Sequence, residues 1–84
     1  MTIDEFKKNI APHMDKGYVA MDKMGGWNWF DKKPEKSSLF YNNYNPDNLD
    51  FWKEQQDGDI VELSKIFNIN PVEDWTKSLI EVGK

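Results

Sequence analysis

The chain has 84 residues, a formal net charge of −4 and no cysteine. That length holds one domain, read as a single small globular unit over 1–84, and the absence of cysteine excludes disulfides, thiolate metal sites and a cysteine nucleophile. All eleven basic residues are lysines, so the side chain best shaped for bidentate phosphate or guanine contact is missing, and the acidic balance argues further against direct nucleic-acid binding.

Twelve aromatics make up 14% of the chain. Each can bury about 150–250 Å², enough to build a core that the modest aliphatic content would not. No apolar stretch approaches the roughly 20 residues of a membrane span, and no basic-then-apolar leader opens the sequence. The expectation is a soluble, cytoplasmic protein with no membrane partner. Asparagine accompanies lysine at high frequency, a pairing that points to an AT-rich coding sequence.

In chain order, Thr2 and Glu5 form the capping-box pattern at the start of a helix, with Asp4 and Glu5 at its positive end. Ile3, Phe6 and Ile10 fall on one helical stripe, and Pro12 ends it. His13 to Lys16 read as a connection closed by Gly17. Tyr18 to Asp22 and Trp27 to Asp31 read as two strands joined through Gly25 and Gly26, an antiparallel hairpin over about 18–31. Within it, Trp27 and Trp29 share one face while Asn28 and Phe30 share the other. Apolar groups on both faces call for a cover on each side, or for a partner.

Residues 32–38 read as a polar loop. A third strand is expected at about 39–42, through Leu39, Phe40 and Tyr41, because an isolated hairpin is marginal in water. Residues 42–48 are loop by composition, and 46–54 fit either a short helix carrying Leu49 and Trp52 or a strand. Asp59 and Glu62 repeat the capping-box pattern, with Ile60, Leu63 and Phe67 at helical spacing. Asn70 and Pro71 open another such segment, in which Val72, Trp75 and Leu79 share a face, Ile80 lies beside them and Gly83 ends it. The expected architecture is α+β: a small antiparallel sheet packed with an N-terminal helix and two short C-terminal helices.

Candidate chemistry is sparse. His13 is the only histidine and has no evident partner, and no nucleophile elbow, phosphate loop or zinc-binding histidine pair is present. The carboxylate pairs Asp57/Asp59 and Asp47/Asp50 read as turn and cap residues. Asn43, Asn45, Asp47 and Glu54 have the spacing of calcium-loop ligands, but Asn48 stands where a glycine is needed and Pro46 interrupts the loop. No catalytic residue, metal site or cofactor is therefore expected, and the chain is read as not an enzyme. The aromatics remain. Trp29, Phe30, Tyr41, Tyr44 and Trp52 are the candidate partner-binding residues, weighed against a purely structural role in the core.

Trp27-Asn28-Trp29-Phe30 followed by Lys33-Pro34-Glu35, together with Pro71-Val72-Glu73-Asp74-Trp75-Thr76-Lys77-Ser78-Leu79, resembles small proteins encoded by bacteriophages and prophages. These carry a Trp-x-Trp/Phe hairpin, a Lys-Pro-Glu-like turn and a C-terminal Asp-Trp-x-x-Ser-Leu helix, and the likeness spans about residues 18–82. It implies an accessory protein in a bacterial cytoplasm and carries no catalytic residues with it. The leading expectation is a non-enzymatic protein-interaction module. The alternatives are an acidic inhibitor imitating nucleic-acid charge against a host enzyme, and a homodimeric structural protein closed by the same aromatics.

Overall fold

The structure is a computed structural model that describes residues 1–37 and 51–83. Helix α1 spans Ile3–Asn9 and starts as its sequence dictates: Thr2 Oγ1 accepts from the Glu5 N–H at 3.1 Å, and Glu5 Oε1 accepts from the Thr2 N–H at 3.0 Å. The two bonds satisfy orphan donors of the first turn. Phe6, fully buried, is the side chain this helix delivers to the core. Pro12 then sits in a 3₁₀ turn, Ala11–His13.

Strands β1 (Gly17–Met21) and β2 (Trp27–Phe30) form the predicted hairpin, with Val19 opposite Trp29 and Met21 opposite Trp27. Gly25 takes φ +93° in the connecting turn, a conformation that L side chains rarely adopt. On either side of the hairpin stands a further antiparallel strand, β5 (Ile60–Glu62) against β2 and β6 (Ile80–Val82) against β1, giving the order β5-β2-β1-β6. A separate two-stranded sheet pairs β3 (Glu35–Ser37) with β4 (Phe51–Lys53).

The α+β architecture and the N-terminal helix therefore match expectation, but the two C-terminal helices do not exist. Ile60–Glu62 and Ile80–Val82 are strands, and only the 3₁₀ turns Leu63–Lys65 and Trp75–Lys77 remain of the helical segments. The physical reason lies in the central hairpin, whose two open edges offer ladder bonds to any extended neighbour. Segments of roughly ten residues between Gly58, Pro71 and Gly83 are too short to hold a helix alone, and Ile60, Val61, Ile80 and Val82 are β-branched. The cap residues are used differently: Asp74 Oδ1 accepts from the Thr76 N–H at 3.0 Å and so caps a 3₁₀ turn. Residues 35–37, expected as loop, form β3, and the open choice within 46–54 resolves as strand at Phe51–Lys53. The third strand expected at 39–42 lies outside the described residues.

Both faces of the four-stranded sheet are covered by the chain itself. One face carries Val19, Met21, Trp27 and Val82, which pack with Phe6, Ala11, Leu63 and Ile69. The other carries Ala20 and Phe30, closed by Trp52 of β4 with Tyr18, Trp75 and Leu79 around them. Trp52 and Trp75 meet edge to face, with centroids 6.1 Å apart. The result is three layers: helix and loops, sheet, and the small β3–β4 ribbon. Asp22 ties the layers together, its Oδ1 accepting from the Trp52 N–H at 2.9 Å and its Oδ2 from the Asn28 amide at 3.2 Å.

Candidate protein-interaction site

Two serines end the outer ladders. The β1–β6 register would bring Ser78 opposite Met21, yet the strand has already turned away. Ser78 Oγ takes its place, accepting from the Met21 N–H at 2.8 Å and lying 2.6 Å from the Trp75 carbonyl, to which it can donate. Across the sheet, Ser64 Oγ accepts from the Trp27 N–H at 2.8 Å, just past the end of β5. Each hydroxyl supplies the acceptor that a longer strand would have provided.

The same ladders fix which backbone groups face outward. The Asp31 N–H bonds the Asp59 carbonyl at 3.3 Å. Asp59 and Val61 therefore turn their peptide groups toward β2, and Ile60 and Glu62 turn theirs away from the sheet. Among the described residues no backbone group bonds them there. The opposite edge differs, because the Gly83 N–H just beyond β6 donates to the Ala11 carbonyl at 2.9 Å. Among the described residues one edge is partly closed by the chain, and the other is open.

Beside the open edge lies an apolar cleft of about 310 Å³, formed by Met14, Trp29, Val61, Leu63, Ile66 and Phe67 with Asp15 at its margin. Trp29 is the anchor. Its indole lies against Gly17, where an added Cβ would come within 2.7 Å of the ring, and its Nε1–H donates to the Asp15 carbonyl at 3.3 Å. A glycine at position 17 thus lets the indole pack against the strand while its outer edge stays in the cleft. Ile66 is 64% exposed, Ile60 42% and Val61 41%. Val61 and Ile66 form an apolar border to the cleft that the core does not cover, while Ile60 lies on the opposite sheet face with Phe30.

Of the predicted partner-binding residues that are described (Trp29, Phe30 and Trp52), Trp29 alone borders this cleft. Phe30 and Trp52 are buried in the second core cluster, where Trp52 also donates its Nε1–H to the Trp75 carbonyl at 3.3 Å. Tyr41 and Tyr44 lie outside the described residues. Met14, Val61, Ile66 and Phe67 were missed by aromatic reasoning. Ile66 carried a signal, since it falls off the stripe of Ile60, Leu63 and Phe67 and so had no assigned place in the core.

Exposed carboxylates lie along this edge: Asp15 lines the cleft, Asp57 and Asp59 precede β5, and Glu62 ends it and pairs with Lys65 at 3.3 Å. A second, more polar cavity of about 430 Å³ lies at the start of β1, between Lys16, Tyr18, Asp31 and Glu81. Among the described residues no group of three or more His, Asp or Glu could hold a metal, and no helix is long and apolar enough to cross a membrane. His13 sits exposed in the 3₁₀ turn. No protein family, curated protein or solved structure matches the chain.

Proposed function

We propose that this protein is a non-enzymatic protein-interaction module whose contact surface is the Trp29 cleft together with the neighbouring strand β5. One observation carries the reading: apolar side chains line a cleft beside a sheet edge that no described strand covers, while both sheet faces are filled by the chain's own core. The demand for a cover that the two-faced hairpin raised in the sequence is met internally. Among the described residues, Val61 and Ile66 leave exposed apolar surface beside this edge. The likeness of the hairpin and C-terminal segments to phage and prophage proteins supports an accessory role in a bacterial cell.

The test is capture from bacterial lysate with tagged wild type, Ile66→Asp and the control Lys8→Glu on the outer side of α1. Ile66 is mostly exposed, so the aspartate leaves the core intact while placing a charge at the contact. A partner retained by wild type and the control but lost by the Ile66 variant supports the reading. Equal retention by all three would oppose it.

A further inference from the structure

We propose that β5 is a strand-addition site for an extended peptide segment of a partner protein, one that alternates apolar residues and carries lysine or arginine at its flanks. The inference rests on the interaction-module reading and names the occupant of its site. Three features of the edge point to it. Ile60 and Glu62 present outward N–H and C=O groups in the phase an antiparallel strand needs, and no described backbone group engages them. Val61, on the same sheet face as Trp29, borders the cleft, so an inward side chain of an added strand at that level enters the space between Trp29, Ile66 and Phe67.

Charge selects the partner. Asp57 and Asp59 flank the entrance to β5, Glu62 ends it and Asp15 borders the cleft, all exposed. Lys65, one turn beyond β5, is engaged by Glu62 at 3.3 Å. An edge strand usually guards itself with lysine or proline; here Ile60 and Val61 are left open between carboxylates. A second copy of the chain would bring the same carboxylates and another net −4 to the contact, whereas a basic segment neutralises them.

The experiment is selection from a random heptapeptide library displayed against the folded full chain, followed by NMR titration of the chain with the enriched peptide. The expected consensus alternates apolar positions and contains lysine or arginine, and the amide shifts centre on Ile60 to Glu62. Ile60→Pro removes one outward N–H without touching the β2 ladder, and it should weaken binding about tenfold, the equivalent of one net main-chain hydrogen bond. Asp57→Lys with Asp59→Lys should reverse the charge preference, both side chains being exposed. An acidic, proline-rich or helix-periodic consensus would overturn the proposal, as would failure to enrich any peptide. Dimerisation through β5 seen by light scattering would also overturn it, giving the edge to a second copy. If peptides shift Trp29 and Ile66 but bind Ile60→Pro equally well, strand addition fails while the interaction-module reading stands. Shifts confined to surfaces away from the cleft would remove both.

Discussion

Replacing Ser78 with alanine should destabilise the protein out of proportion to the one atom removed. Ser78 is 5% exposed and Met21 is 3% exposed. The hydroxyl accepts from the Met21 N–H at 2.8 Å while lying 2.6 Å from the Trp75 carbonyl and 3.1 Å from that of Met21. Its loss leaves a buried backbone donor with no acceptor at a site that water does not reach. Such a group costs about 1–3 kcal/mol, and for a domain of this size each kcal/mol lowers the midpoint of thermal unfolding by about 4–8 °C. The matched control is Ser64→Ala. It breaks an equivalent 2.8 Å bond to the Trp27 N–H, but Ser64 itself is exposed, so water can replace the lost acceptor and the cost should stay under about 1 kcal/mol. Urea unfolding followed by tryptophan fluorescence measures both. If Ser78→Ala costs no more than Ser64→Ala, the substitution of a hydroxyl for strand pairing at β6 does not stabilise the fold.

Other consequences follow from single contacts. Trp27 is 1% exposed and its Nε1–H has no partner among the described residues; Trp27→Phe sheds that donor, so chemical denaturation should show a loss of no more than about 1 kcal/mol, well short of the roughly 3–5 of an aromatic-to-alanine change. Asp22→Ala removes the acceptor for the Trp52 N–H and should raise hydrogen exchange at Trp52 by about tenfold or more while leaving Val19 in the central hairpin little changed. Asp74 is held below its ordinary carboxylate value, first by the Thr76 hydroxyl and then by the Thr76 N–H. Because the folded state lowers this pKa, the cap's contribution is complete above the unfolded pKa and is lost as pH falls through the folded one. Thr76→Val should move the titration of Asp74, read by the carboxyl carbon shift, upward toward the ordinary value; a midpoint that does not move would refute the hydroxyl's role.

How much of this was legible in the sequence depended on the range of the forces. The Thr2–Glu5 box and the Trp27–Phe30 alternation are local devices, and each appears as read: the box closes with both bonds, and Trp27 and Phe30 fall into opposite core clusters. The outer strands were not legible because their helical spacing was genuine. Leu63 is buried and Phe67 packs beside it, as a helical stripe would have them. What decided the matter was the bonding capacity of β1 and β2, distant in sequence. Glu35–Ser37 shows the same effect without any apolar signal, becoming a strand only through pairing with Phe51–Lys53. The cleft was half legible: Trp29 stood out as an aromatic, but Ile66 and Val61 acquire meaning only once β5 is placed at an edge.

The contact surface itself can be located by photo-crosslinking in bacterial cells, with a photoreactive residue placed at position 66 beside the cleft or at position 8 on the outer side of α1. A cleft-and-edge contact predicts a discrete crosslinked partner from position 66 and none from position 8. Crosslinking from position 8 alone, or equally from both, would contradict it.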